Sequence, residues 1–217
     1  ENEESYVSPP GVEREQFNNN NTIVRQNEQS LVLNVCDLEP EDSRGVYKNL
    51  NVDMRQFKRI RMFIHAEDGL SPGLTDGDIV GYVRLGNDLS ENYYQIEIPL
   101  KKSSSGSLNP QVVWPLVNEI NLPISALEAI KSNAIFNGTL GNQYATFYNV
   151  INDIVSEDPV NEFSEYDLGQ HRVAIKGNPN FGDIRALMVG VKNPRQDNMN
   201  VCAEVWFNEL RLSDMDN

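Results

Sequence analysis

The stretch CAEVWFNELRLSD, Cys202–Asp214, decides the fold, and as a plain strand it contradicts itself. Side chains on a strand alternate between two faces. Val205 and Phe207 therefore share one face, and unbroken alternation sends Leu210 and Leu212 to the other. An antiparallel pair resolves such a slip with a β-bulge, one extra residue that re-aims the side chains after it. A bulge at Asn208-Glu209 returns Val205, Phe207, Leu210 and Leu212 to one buried face. The chain is then expected to close on a bulged strand of an antiparallel sandwich.

Working outward, the period of two recurs. In Lys58–Glu67 (KRIRMFIHAE), Ile60, Met62, Ile64 and Ala66 fall on one face, with Arg59, Arg61, Phe63 and His65 on the other. Val83 and Leu85 oppose Tyr82 and Arg84. Tyr94, Ile96, Ile98 and Leu100 oppose Tyr93, Gln95 and Glu97. Ser30–Cys36, the stretch GVYKNLNVDM, His171–Gly177 and Ile184–Asn193 also read as strands, separated by turns such as DGLSPGLTDGD. Strands at this spacing predict an all-β antiparallel sandwich.

Three stretches break the pattern. Residues 1–27, with Pro9-Pro10-Gly11 and the run Asn18–Asn21, read as an extended N-terminal arm, leaving 28–217 as the sandwich domain. VVWPLVNEINLPI reads as extended, because Pro115 and Pro123 exclude a central helix. One short helix is signalled by Ser125 and Glu128 in capping-box spacing, with Ile124, Leu127 and Ile130 as its buried stripe. The stretch 136–170, rich in Asn, Gly and acids, is read as an insertion with room for one short helix.

The 217 residues carry a formal net charge of -14, which a phosphate backbone repels, so nucleic acid is not an expected partner. No apolar run is long enough for a transmembrane helix, and no signal peptide opens the chain. The opening ENEESYVSPPG reads like the start of an excised piece. Cys36 and Cys202 lie in strand-like stretches. They are either bridged, joining the first and last strands of the sandwich, or two separate buried thiols, and the count of cysteines does not choose between these.

The slipped closing strand and the order of the other strands resemble galactose-binding-type jelly rolls, the sandwich of many carbohydrate-binding modules. A narrower resemblance runs from about Tyr6 to Asp214. SPPGVEREQ, the stretch Asn34–Glu67, DGD, NYYQIEIPL, Ile175–Pro194 and CAEVWFNELRLSD together resemble a segment of the SprA/Sov family. These are very long outer-membrane proteins of the Bacteroidetes that form the type IX secretion translocon and are linked to gliding motility. The resemblance implies a non-catalytic structural or interaction domain that supports protein export. Its partners would be the parent barrel, other secretion components or cargo, and it would sit at the outer membrane, on its periplasmic or extracellular side. Lipid-facing barrel strands need an outward apolar band. Here Arg, Lys and Glu occupy the second faces, so the piece is expected to be soluble and set between barrel strands.

The alternative is a carbohydrate-binding module of a cell-surface protein. Its platform would be the second face, with Phe63, His65, Tyr82, Arg84, Tyr93 and Gln95 as the candidate interaction residues. Aromatic rings offer flat apolar area with polar rims, suited to sugars and protein partners alike; loops covering the face would make the same residues ordinary packing. Trp114 and Trp206 are expected in packing. No cofactor is expected. Calcium is the ion that Asp37–Asp42 and Asp76–Asp78 would suit, but neither run has a defined ligand spacing, and turn-forming acids explain both. With only His65 and His171, and no nucleophile elbow, zinc-binding helix or P-loop, no enzyme is expected.

Overall fold

A computed structural model describes residues 7–12, 16–19, 22–25, 30–104, 106–162 and 167–215. Two antiparallel sheets face each other across one core. The larger runs, in spatial order, β10 (Ile154–Val155), β9 (Thr146–Ile151), β11 (His171–Lys176), β7 (Tyr93–Pro99), β6 (Val80–Gly86), β12 (Ile184–Lys192) and β4 (Ser43–Val52). The smaller runs β3 (Leu31–Leu38), β13 (Val201–Met215), β5 (Phe57–Asp68) and β8 (Ile120–Pro123). Within the arm, β1 (Gln16–Asn19) pairs with β2 (Thr22–Arg25) as a hairpin, which the reading of 1–27 as an extended arm does not foresee.

The alternation assigned to β5, β6 and β7 holds. Ile60, Met62, Ile64 and Ala66 meet Val83, Leu85, Tyr94, Ile96 and Ile98 in one buried cluster, joined by Ala203, Val205 and Phe207 of β13. The bulge sits where the slip demands it. Asn208 pairs with Phe63 and Arg211 with Arg61, so Glu209 and Leu210 together oppose Met62. Glu209 takes φ 53, the left-handed conformation that turns the strand. Leu212 then returns to the core beside Ile60. Leu210 turns toward the same side but stays 37% exposed, because it lies beside an edge that no strand covers.

β8 runs straight into α2 (Ile124–Phe136). The capping-box reading is corrected here. Pro123 occupies the N-cap position without a side-chain cap bond, and Ser125 lies exposed in the first turn. Pairing of Pro123 with Arg59 holds the chain in the sheet up to that residue, which leaves no room for a loop before the helix. The apolar stripe is as expected. Ile124, Leu127 and Ile130 are buried, with Ala126 and Ala134, and each of the large side chains contributes about 2 kcal/mol by leaving water. The extended reading of VVWPLVNEINLPI holds only for β8, since Pro110–Val113 form one helical turn, α1, and Leu116–Asn118 a 3-10 turn.

The short helix expected within 136–170 is corrected. The described residues of that stretch hold no helix beyond the last residue of α2. Instead β9 and β10 extend the large sheet as a hairpin, with Tyr148 and Val150 in the core.

Candidate functional site

The six residues proposed as one platform do not share a face. Phe63 and His65 stand on the outer side of the small sheet. Tyr82, Arg84, Tyr93 and Gln95 stand on the outer side of the large sheet, across the sandwich. Alternation assigns each residue to the side away from the core, but a sandwich has two such sides. Both are covered, so five of the six are buried and Arg84 is half-buried.

On the small sheet, Phe63, Val113 and Trp114 form a second apolar cluster with Val7, Val12 and Trp206. Trp114 is fully buried, and its Nε1 donates to the Val7 carbonyl at 2.8 Å, tying the N-terminal segment down. His65 stacks on Trp206 with ring centroids 4.2 Å apart and meets Trp114 edge-on at 5.9 Å. Its Nδ1 lies 2.7 Å from the Val113 carbonyl, which accepts a hydrogen bond from it. The other ring nitrogen makes no hydrogen bond among the described residues and lies 3.5 Å from a Glu67 carboxylate oxygen. Trp206 Nε1 donates to Glu204 at 2.8 Å, and Glu204 also accepts from Asn34 at 2.7 Å. Both tryptophans are thus packing residues.

On the large sheet, Tyr82 lies across two glycines. A Cβ on Gly190 would stand 2.5 Å from its hydroxyl oxygen, and one on Gly45 would stand 2.8 Å from it. The missing side chains admit the ring, which is the physical reason Tyr82 is buried, and burial raises its hydroxyl pKa. A polar chain runs beside it. Arg84 Nε donates to Gln95 at 2.6 Å and its guanidinium lies 4.2 Å from the Tyr93 ring centroid. Gln95 Nε2 donates to Glu97 at 2.6 Å. Glu97 lies 3.8 Å from Lys192, which also donates to Glu162 at 2.5 Å. Arg172 reaches the Glu162 carbonyl and Asn149. Burial pushes the Glu97 carboxyl up, against the pull of the Lys192 ammonium. Glu162 belongs to the segment after β10, which pairs with the edge of β9 through a bridge between Val160 and Phe147 and then reaches over this face to Lys192. The insertion thus supplies the cover, and sequence alternation alone does not locate the buried Glu97, Arg172 and Lys192.

Cys36 and Cys202 are bonded to each other, with Cα atoms 4.0 Å apart. Cys36 and Asp37 together oppose Cys202, a second bulge, with Asp37 at φ 52. Cys36, Asp37 and Cys202 form the one grouping of metal-ligand types among the described residues, but its sulfurs are consumed in the bond and offer no thiolate. In the other acidic run, Asp78 accepts from the Thr75 N–H and hydroxyl and pairs with Arg195 at 2.7 Å. Asp76 accepts from the Lys102 N–H. His171 lies on β11, in the other sheet from His65, and burial lowers its pKa.

The geometry is that of a sandwich whose two outer faces are partly covered by its own chain, with Val32 on one and Tyr47 on the other left exposed. The family model described as motility related/secretion protein, SprA_N, matches residues 1–217. The chain belongs to the SprA_N family. A search of curated proteins finds no match. For this SprA_N member, secretion and motility are the setting, and no helix among its described residues is long and apolar enough to cross a membrane.

Proposed function

We propose that this chain is a non-catalytic structural and interaction domain of a type IX outer-membrane translocon, supporting protein export and gliding motility. The observation that carries the reading is the family match over the whole chain. The fold is consistent with it. A closed core, a cross-strand bond between the strands that open and close the small sheet, and two partly covered faces suit a rigid module held against other protein. Arg84, Glu97, Arg172 and Lys192 on the covered face of the large sheet are engaged by hydrogen bonds or ion pairs, and among the described residues no nucleophile stands beside a base in a cleft. The domain would lie outside the lipid, at one mouth of the barrel or within it, contacting the barrel, partner subunits or cargo.

Glycan binding is not favoured, because the residues that would form its platform are split between two faces and buried. The deciding experiment is an in-frame deletion of this segment in its parent, with barrel assembly checked independently and cargo secretion measured. Loss of secretion, or a leaking membrane, from an assembled barrel is the expected result. Normal secretion would make the domain an accessory and sink the proposal.

A further inference from the structure

We propose that the open edge of β4 is a docking site for an extended segment of another polypeptide, one that presents acidic and apolar side chains alternately toward the groove beside it. This rests on the fold alone and stands whether or not the chain serves in transport.

The edges of this sandwich are unequal. On one side the large sheet ends in β10, two residues long, and the small sheet ends in β8, four residues long and continuous with α2. Short edge strands are a common protection against strand addition. On the other side the sheets end in β4, ten residues, and β3, eight residues. Among the described residues β4 pairs with β12 alone, and residues 43–49 are all exposed, Tyr47 at 66%. The Asn193 N–H donates to the Asp42 carbonyl, in register with the β12–β4 ladder. Backbone bonds alternate along an antiparallel strand. Residues 42, 44, 46 and 48 therefore bond toward β12, and Ser43, Gly45, Tyr47 and Asn49 point their N–H and C=O groups outward, the Ser43 carbonyl already accepting from the Arg44 guanidinium at 2.8 Å. That is a template for one more strand.

The side chains state what kind of strand fits. Arg44, Val46 and Lys48 pair with Val191, Val189 and Leu187, which face the core, so these three side chains face the gap between the sheets. There a groove of about 280 Å³ is lined by Leu31, Val46, Met62, Phe207 and Leu210, among others. An apolar side chain opposite Val46 would enter it. On either side of Val46 stand Arg44 and Lys48, and no acid lies between Ser43 and Val52, in a chain whose net charge is -14. Arg44 has an exposed partner in Asp42 at 3.1 Å, and Lys48 has none among the described residues. Bases turned inward at an edge repel an unselected strand; acids at the facing positions convert that repulsion into attraction. A second copy does not satisfy the site. Antiparallel pairing about Val46 would set Arg44 against Lys48 of the other copy. Glu209, on the far wall, pairs with Arg211 at 3.9 Å, so the acids belong beside β4 and not across the groove.

The test uses the 217-residue chain and a fluorescein-labelled peptide, Thr-Glu-Thr-Val-Thr-Glu-Thr, followed by anisotropy. Its counterpart carries Lys in place of both Glu. Saturable binding of the Glu peptide and not of the Lys peptide is expected. The double variant Arg44→Glu, Lys48→Glu should weaken the Glu peptide about tenfold and admit the Lys peptide. Tyr47→Pro removes one outward N–H, leaves the β12 ladder intact and should abolish binding. N-methylation of the peptide amides gives the same readout with no change to the protein. No saturable binding, equal binding of both peptides, or indifference to N-methylation overturns the proposal. So does self-association of the chain that Tyr47→Pro abolishes, which would assign the edge to a second copy.

Discussion

Removing the bond between Cys36 and Cys202 should cost this domain a large share of its stability. The two residues are 166 apart in sequence, so the link closes most of the chain into one loop. In the chain-entropy model a loop of that length is worth about 5 kcal/mol, acting through the denatured state. Measured losses run at about 2–5 kcal/mol, so about 3–5 kcal/mol is expected against a total of about 5–15 kcal/mol. Packing adds little to the loss. Cys36 is exposed and Cys202 half-buried, and Ser at both positions opens no sizeable cavity. Urea unfolding of the Cys36→Ser, Cys202→Ser variant should show the midpoint falling while m rises, since an unlinked denatured chain exposes more surface. The thermal midpoint should drop by roughly 10 °C. Wild type in reductant should behave like the variant. Two refuting results are available. Alkylation of the unreduced, unfolded protein at both thiols would show that no bond forms. A variant within about 1 kcal/mol of wild type would show that the loop-closure argument fails here.

Gly190→Ala should destabilise by about 1–3 kcal/mol, because its Cβ would stand 2.4 Å from the Arg44 carbonyl oxygen and 2.5 Å from the Tyr82 hydroxyl. Adding Tyr82→Phe should recover only part of this in chemical denaturation, since the backbone clash persists; full recovery would refute the account. Trp114→Ala should cost about 3–5 kcal/mol and release the segment from Val7 to Val12, read as faster proteolysis there. Unchanged cleavage would mean that other contacts hold the segment. Glu97 has a folded pKa above its ordinary 4.5, so its burial penalty is absent below that pH, grows as pH rises from 4.5 to the folded value, and is constant above it. Glu97→Gln should therefore gain on wild type as pH increases from 4.5, and a difference that stays flat across that window would contradict the sign.

The sandwich was legible because its inward-facing residues obey a local rule. Ile60 to Ala66 and Tyr94 to Leu100 alternate without interruption, and one slip in β13 marked its bulge. The platform was not legible, because burial of Phe63, His65, Tyr82 and Gln95 is imposed by segments far away in sequence. Val7 and Val113 cover the first pair, Gly45 and Gly190 leave the space that Tyr82 fills, and Glu162 reaches over the large sheet to Lys192 beside Glu97. Alternation carries no information about such cover. β9 and β10 left a signal that composition hid. In VINDIV, Asn152 and Asp153 take φ 50 and 66, the pair of left-handed residues that a tight hairpin turn requires, between Ile151 and Ile154. Two Asn/Asp residues inside a polar stretch read as loop, although their apolar flanks mark a hairpin. The helix start misled for a related reason: Ser125 and Glu128 have capping-box spacing, but the sheet holds the chain through Pro123 and the cap falls there.

The polar chain beneath the crossing segment bears on what the domain is built to do. Buried ion pairs stabilise little over a well-packed apolar core, while losing one partner leaves an uncompensated charge. Arg172, Lys192 and Glu97 are therefore a poor device for stability and a good one for specifying a single register, since Glu162 must sit where both cations reach it. The same holds on the small sheet, where Trp114 accepts one position of Val7 through a directional bond. Both covers are pinned by groups that tolerate no sliding. A face covered this way does not open for a sugar or a passing chain without leaving charges or an indole N–H unpaired. Contact with other molecules is thereby shifted to the rim, and on the rim the longest uncovered backbone among the described residues is that of β4.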